Sequence, residues 1–202
     1  MFVQVFQGPV SDPAQVKEQM DRWVAELSPG ADGWLGSTAG VTDDGWFIGL
    51  ARFDSEGAAR RNSDRPEQGE WWSGLERLFT SEPAFHESTD IVVDDHGDLD
   101  SAGFVQVMQG RTSNGDRARE LMADDDPEWQ DYRPDVLGSL MAVHGEDAWT
   151  MAIYFTSEAD ARAGEQKEPP ESIRAAMAEL DSLAIGETTY IDLKEPWLAS
   201  PS

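Results

Sequence analysis

The sequence predicts an α+β protein in which one βαββαβ unit occurs twice. Three segments of the first half return in the second half at one constant spacing: FVQVFQG at 2–8 as FVQVMQG at 104–110, LGS at 35–37 again at 137–139, and FDSE at 53–56 as FTSE at 155–158. Because the spacing holds without a gap over about ninety positions, the match indicates an internal repeat.

The first half begins with a strand, a helix and a hairpin. Residues 2–7 form a strand-like run, and Pro13 stands at the first position of the following helix, with Ser11 or Asp12 as its N-cap. Two further strands, 35–41 and 46–53, are joined by the turn TDDG, whose Asp-Gly pair is typical of hairpins.

Two helical segments and a last strand complete each unit. Ser55 is a candidate N-cap, and Glu56 and Arg60 lie four residues apart, as ion pairs on a helix do. Pro66 ends that helix in the first half, as the prolines at 169–170 do in the second. The gap-free register then matches Trp71, Leu75 and Leu78 with Ile173, Met177 and Leu180, and predicts last strands at 85–92 and 188–193.

These elements divide the chain into four regions. We expect a first repeat at 1–93, a linker at 94–103, a second repeat at 104–193 and a C-terminal tail at 194–202. The linker is acidic and contains glycine, as linkers often do. It does not fit a calcium loop of the EF-hand type, because the twelfth residue from Asp94 is Val105 rather than a glutamate.

Composition excludes several classes of protein. The formal net charge is −25 and would repel phosphate backbones, so we expect no nucleic-acid partner. The chain has no cysteine, which rules out disulfides and thiolate metal sites. It contains no apolar run of the length that crosses a membrane, so we expect no membrane partner, and without a recognisable signal peptide we expect a cytoplasmic location.

The order of elements, together with the run Phe-x-Ser-Glu-x-x-Ala-Arg at 53–60 and 155–162, resembles the dimeric α+β barrel superfamily. That superfamily includes antibiotic-biosynthesis monooxygenase-like proteins, haem-degrading monooxygenases and chlorite dismutase-like proteins. The resemblance implies two tandem ferredoxin-like repeats that form an intramolecular dimeric α+β barrel. It also implies either a monomer with an internal pseudo-dimer or a homodimer.

The haem-binding branches imply ligands that this sequence lacks. Haem-degrading relatives carry an asparagine on the first strand, where this chain has Gln4 and Gln106, and no histidine occurs in either second-helix region. His86, His96 and His144 are far apart and have no carboxylate at a metal-binding spacing. We therefore expect neither a cofactor nor a metal site.

An excess of aromatic residues in the first half marks the candidate site. The candidates for binding a ligand are Trp34, Trp46, Trp71, Trp72 and Phe85, with Arg52 and His86 as polar groups. Aromatic side chains commonly wall ligand pockets, so we expect the larger cavity in the first half. In the alternative interpretation, these rings fill the core and Arg52 pairs with a carboxylate at the rim.

Two functions are consistent with these features. The first is binding of a small apolar or aromatic ligand. The second is a cofactor-independent monooxygenase of the antibiotic-biosynthesis type, which needs a shaped apolar pocket and a few polar groups to deprotonate and orient its substrate. An aromatic pocket with Arg52 or His86 pointing inward would favour the monooxygenase. The sequence assigns no catalytic residue.

Overall fold

The computed structural model describes residues 1–122 and 128–201, which form two compact units. The first unit contains Met1–Thr89 and the C-terminal residues from Pro196 on, and the second contains Asp90–Glu195. Each unit has a five-stranded antiparallel sheet and helices, so the α+β class predicted from the sequence is confirmed.

The strands are β1 Phe2–Pro9, β2 Trp34–Val41, β3 Trp46–Phe53, β4 Ala84–Ser88, β5 Asp90–Asp95, β6 Phe104–Arg111, β7 Val136–His144, β8 Ala148–Phe155, β9 Thr189–Leu193 and β10 Trp197–Ala199. The α-helices are α1 Pro13–Arg22, α2 Glu56–Ser63, α3 Pro66–Glu76, α4 Gly115–Met122, α5 Glu128–Tyr132, α6 Glu158–Glu165 and α7 Glu171–Leu183. A π-helical turn, Trp23–Leu27, continues α1. Among the described residues, every helix is too short or too polar to span a bilayer.

The two sheets have equivalent strand orders, β10-β2-β3-β1-β4 in the first unit and β5-β7-β8-β6-β9 in the second. Four strands of each sheet follow the order expected of a βαββαβ ferredoxin-like unit, with the first and third strands in the centre. The fifth strand of each sheet comes from the segment that follows the last strand of the other repeat in the chain.

This fifth strand is a difference from the sequence expectation. The predicted last strand of the first repeat, 85–92, is divided at Thr89 into β4, which pairs with β1, and β5, which pairs with β7. The predicted linker, 94–103, therefore begins inside β5, and the predicted tail, 194–202, contains β10, which pairs with β2. In both places an added strand satisfies backbone groups along one side of β2 or β7.

Local signals explain where the helices and bulges lie. Asp12, rather than Ser11, caps α1 by accepting the Gln15 N–H at 3.0 Å, and this bond lowers the pKa of Asp12. Ser55 caps α2 in the same way. Gly36 has φ +136° at a β-bulge in β2, a conformation that favours glycine, and Gly138 marks the matching bulge in β7.

The gap-free register fails after α2 in the first repeat and after α6 in the second. The connection between α2 and α3 has two residues, 64–65, whereas the one between α6 and α7 has five, 166–170. Everything after this insertion is therefore shifted by three residues. Leu78 and Leu183, for example, accept equivalent hydrogen bonds from the backbone N–H groups of Ser11 and Ser113.

The shift corrects the matches expected for the last helix and strand. Trp71 corresponds to Ala176 rather than Ile173, and Trp72 to Met177. In the last strands, Phe85 faces Phe6 as Tyr190 faces Met108. The counterpart of Leu75 is Leu180 rather than Met177, and the counterpart of His86 is Ile191.

The core of the first unit lies between its sheet and its helices. Phe2, Phe47 and Phe53 from the strands pack with Val16 and Leu75 from the helices, and all are at most 2% exposed. Burial of one such side chain stabilises the fold by roughly 1.5–3 kcal/mol.

The opposite face of the same sheet is apolar as well. Val3 and Val5 of β1 and Ile48 and Leu50 of β3 lie on this face and are buried. Both faces of the sheet are therefore covered, as the resemblance to the dimeric α+β barrel superfamily implies.

Candidate functional site

A cavity of about 270 Å³, partly open to solvent, lies in the first unit between the sheet and its helices. Seven of its lining residues are aromatic: Phe6, Trp23, Trp34, Phe53, Trp71, Trp72 and Phe85. The strands supply the floor, while the π-helical turn, α2 and α3 supply most of the wall. The π-helical turn places Trp23, which is 6% exposed, in this wall.

The floor exists because β3 carries small residues on its helix-facing side. Gly49 and Ala51 lie between Phe47 and Phe53 on that side, and these two small residues line the cavity. A Cβ atom at Gly49 would lie 2.5 Å from Cζ of Phe6, so the Phe6 ring rests directly on the backbone there. Glycine at this position therefore allows a close approach that no larger residue permits.

Edge-to-face packing holds the walls in place. The Trp23 and Trp34 rings have centroids 5.1 Å apart at 71°, and those of Trp72 and Phe85 lie 5.1 Å apart at 60°. Trp71 bridges the two pairs, with its ring 6.3 Å from Trp23 and 6.2 Å from Trp72. Such pairs are favourable for aromatic rings and restrict their movement. Phe85 is 51% exposed and therefore forms the rim.

The polar groups of the lining are amides, hydroxyls and indole N–H groups, and Nε1 of Trp34 is buried without a hydrogen-bond partner among the described residues. On the helix side, Asn62 accepts a hydrogen bond from Nη1 of Arg65 at 2.9 Å, and Gln68 accepts one from Nε1 of Trp23 at 2.7 Å. Of the described residues that line the cavity, none has an ionisable side chain. The cavity therefore favours neutral molecules, because a buried charge without a partner is costly.

The structure brings four of the seven candidate residues together. Trp34, Trp71, Trp72 and Phe85 line the cavity, whereas Trp46, Arg52 and His86 do not. Trp46 and Arg52 alternate with the floor residues of β3 and so lie on the other face of the sheet.

The two polar candidates are therefore not placed to act on a ligand in this cavity. His86 lies on β4 opposite Val5, on the other face from Phe85, and burial lowers its pKa. Nε of Arg52 is buried and has no hydrogen-bond partner in the described part of the chain. Within that part, Arg52 also forms no ion pair, so its predicted pairing with a rim carboxylate is absent.

Sequence reasoning missed Asn62 and Gln68, which look like ordinary polar helix residues when only the sequence is considered. It also missed the significance of Gly49 and Ala51. A signal for the latter was present, because two small residues interrupt the large apolar side of a strand. Among the described residues, no group of three acidic or histidine side chains is arranged to hold a metal ion.

Comparison with known proteins supports the fold. No family model matches the sequence, and no curated protein matches it. A candidate monooxygenase from Lactobacillus acidophilus NCFM matches at a TM-score of 0.71 and 8% identity, over 98% of this chain and 99% of that one. A candidate monooxygenase from Fusobacterium nucleatum subsp. nucleatum ATCC 25586 matches at 0.76 and 8% identity, over 98% and 94%.

An anthrone oxidase-like protein matches at a TM-score of 0.68 and 11% identity, over 98% of this chain and 92% of that one. The chain has the α+β fold of these proteins, which fits a tandem-repeat dimeric α+β barrel. Both repeats of this fold are on one chain, and the resemblance seen in the sequence is confirmed. At these identities the likeness is one of fold.

The second unit has a hollow whose described lining residues include no aromatic side chain. Its hollow also measures about 270 Å³, so the expected difference in size is not observed. The difference is chemical, because Asp135, Thr156, Asp160 and Lys167 line that hollow. The aromatic cavity is therefore a feature of the first repeat.

The Phe-x-Ser-Glu-x-x-Ala-Arg run of the barrel has a structural role in both repeats. Its last residue, Arg60, pairs with Glu87 on β4 and lies over the Phe2 ring, 5.8 Å from its centroid. The bond from Arg60 lowers the pKa of Glu87. Arg162 pairs with Asp192 in the same manner. The run therefore joins a helix to the sheet outside the cavity.

Proposed function

We propose that the protein binds a small neutral aromatic or apolar molecule in the cavity of its first unit. The observation that carries this proposal is the lining itself, seven aromatic residues with no ionisable side chain among the described residues. Concave, mostly apolar sites with a few placed polar groups are typical of sites for small molecules.

The volume sets the size of the ligand. An engineered apolar cavity of about 150 Å³ holds one benzene molecule. The cavity of about 270 Å³ therefore suits a compound of two, or at most three, fused rings. A flat molecule would lie against the rings of Trp71 and Trp72 and displace water from apolar surface.

Ligand binding can be tested by tryptophan fluorescence and thermal denaturation of the full chain. We expect naphthalene to quench the fluorescence and to raise the Tm, because a ligand that binds the native state stabilises it. 2-Naphthoate is the matched charged probe, and we expect it to bind at least about tenfold more weakly. Absence of binding by neutral two-ring compounds up to their solubility limit, or tighter binding of the carboxylate, would contradict the proposal.

A cofactor-independent monooxygenase is the second candidate. Two structural neighbours are named as candidate monooxygenases and a third as anthrone oxidase-like, which supports this candidate. Against it, Arg52 and His86 lie on the opposite face of the sheet, so no ionisable group in the described lining can deprotonate a substrate. The amides and hydroxyls could only orient one.

Oxygen uptake distinguishes the two candidates. A monooxygenase should consume O₂ with a phenolic two-ring probe such as naphthalene-1,8-diol, at a rate proportional to protein concentration. If this probe binds and no uptake above the protein-free rate is seen, the ligand-binding function stands and the monooxygenase is rejected for this substrate class.

We also propose that the chain is a cytoplasmic monomer. The presence of both repeats on one chain supports a monomeric state, since the second copy of the unit is already covalently attached. Light scattering after size exclusion should give the mass of a single chain, whereas twice that mass would show a homodimer.

A further inference from the structure

Two amide side chains on the helix side of the cavity, Asn62 and Gln68, are each held in one orientation by a hydrogen-bond partner. We propose that these amides select ligands that carry a hydrogen-bond acceptor, such as a carbonyl oxygen, at the helix side of the cavity. This inference rests on the proposed ligand-binding function and adds the chemistry by which the site would discriminate.

The orientation of Asn62 follows from its partner. Nη1 of Arg65 lies 2.9 Å from Oδ1 of Asn62, and a guanidinium can only donate hydrogen bonds. The amide atom beside it must therefore be the oxygen. Nδ2 is then the free end of the amide, and it donates to nothing within the described part of the chain. Asn62 is only 6% exposed, so the cavity is where a partner for Nδ2 can bind.

Gln68 is oriented by the same logic. Nε1 of Trp23 lies 2.7 Å from Oε1 of Gln68, and an indole N–H is also a donor only. The oxygen of this amide is thus occupied, and Nε2 donates to no described residue. Both amides therefore leave an N–H donor available at the cavity wall.

Arg65 is a positioning residue for this wall. Its Nη1 also donates to the Leu27 carbonyl at 3.1 Å, and its Nε donates to Glu67 at 3.0 Å. The side chain is 19% exposed and so is held between the π-helical turn and the start of α3. A guanidinium fixed at several points holds Asn62 in a single orientation.

One amide on the strand side, that of Gln4, has the opposite orientation. Nε2 of Gln4 donates to Oε1 of Glu87 at 2.8 Å, and an ionised carboxylate can only accept. Gln4 therefore leaves its own Oε1 free as an acceptor. The free amide donors of the cavity wall thus belong to the helix side, while on the strand side the buried Nε1 of Trp34 is a further donor without a partner among the described residues.

A matched pair of probes tests the inference. 1-Tetralone and tetralin have nearly the same size and shape, and only the former carries a carbonyl oxygen. We expect 1-tetralone to bind the full chain about tenfold more tightly, because tetralin would displace water from the amide donors without offering them an acceptor. Both dissociation constants can be measured by tryptophan quenching and calorimetry.

Variants that reverse the polarity of one amide sharpen the test. Asn62→Asp keeps an oxygen for Arg65 and replaces the free donor with an acceptor at almost unchanged volume, and Gln68→Glu does the same beside Trp23. We expect each to reduce the preference for 1-tetralone to twofold or less. Asn114→Asp is the control, because Asn114 is the only other asparagine in the sequence and caps α4 through its oxygen, so it adds the same charge outside the cavity.

The outcomes separate the inference from the function on which it rests. A preference for 1-tetralone that both polarity variants abolish and Asn114→Asp retains supports the inference. Equal binding of the two probes by the unaltered protein overturns the inference and leaves the ligand-binding function intact. Binding of neither probe overturns both. Circular dichroism establishes that the variants fold, and if one of them does not, the other decides.

Discussion

The two repeats distribute side-chain volume in opposite ways. In the first, Gly49 and Ala51 lie on the sheet below Trp71 and Trp72 of α3. In the second, the equivalent strand positions carry Met151 and Ile153, as the pairing of β8 with β6 shows. The helix positions that correspond to the tryptophans are Ala176 and Met177. The larger side chains at these positions therefore lie on the helix in the first repeat and on the sheet in the second.

This exchange explains why the aromatic cavity is in the first repeat. Large rings on the helix that pack edge to face cannot fold down onto a floor of glycine and alanine, so a void remains. In the second repeat the same strand positions carry Met151 and Ile153, and Ile153 packs against the cluster of Phe104, Phe155 and Ala161. The same backbone fold can therefore carry its large side chains on either element.

The largest effect should come from the core beneath α3. Leu75 is fully buried, whereas its counterpart Leu180 is only partly buried. We expect Leu75→Ala to lower the free energy of unfolding by about 3 kcal/mol and Leu180→Ala by about 1 kcal/mol. Chemical denaturation of the full-length variants measures both values, and equal losses would show that the two helices pack equally well.

The second prediction exchanges one floor residue of the cavity for its counterpart in the other repeat. Ala51→Ile copies Ile153 and fills the cavity, so we expect naphthalene to bind at least about tenfold more weakly, a loss of about 1.4 kcal/mol or more. Ile153→Ala is the reciprocal control and should lower the Tm without changing the affinity. Unchanged binding by Ala51→Ile would show that the ligand binds elsewhere.

A smaller effect should appear on acidification. The pKa of Glu87 is lowered from its ordinary value of 4.5, first by the hydrogen bond from Arg60. The stability that this bond contributes is therefore complete above about pH 4.5 and is lost as the pH falls through the lower pKa of the folded state. Since the pair is partly exposed, we expect only about 0.5 kcal/mol.

Glu87→Gln removes the ionisable group and tests this expectation. Its free energy of unfolding should change less between pH 7 and pH 3 than that of the unaltered protein. Glu82→Gln, an exposed change in the loop that precedes β4, controls for the loss of one charge. An unaltered acid response in Glu87→Gln would rule out the Arg60 pair as its source.

The smallest effect should be at the rim. Phe85→Tyr copies Tyr190, and both residues are more than half exposed. We expect the Tm to stay the same and the affinity for naphthalene to change by no more than about twofold, since exposed positions contribute little. A loss of tenfold would show that Phe85 closes over the ligand, so that the rim is part of the wall.

The sequence alone was sufficient to predict the repeat, the element order and most helix starts. These features depend on local chemistry, such as a Ser or Asp at an N-cap, a proline at the first helical position and an Asp-Gly turn. The serine cap occurs in both repeats, at Ser55 and Ser157, and the structure adds a bulge glycine at positions 36 and 138, because the same backbone geometry requires each residue twice.

The strand partners and the register of the last helix and strand could be determined only from the tertiary structure. The longer connection at 166–170 shifts the last helix and strand by three residues, and the pairing of β9 with β6 and the hydrogen bonds to Leu78 and Leu183 reveal the new register. The exchange of strand partner at Thr89 is also invisible locally, because one extended run can pair in two sheets as readily as in one.

The site shows the same division. Strand alternation placed Arg52 and Gly49 on opposite faces, but the sequence could not say which face would hold the cavity. The polarity of Asn62 and Gln68 depends on Arg65 and Trp23, and Trp23 lies 45 residues away from Gln68 along the chain. Periodicity and capping depend on neighbours in the chain and can be read from the sequence, whereas a void and the direction of an amide depend on side chains that meet only after folding.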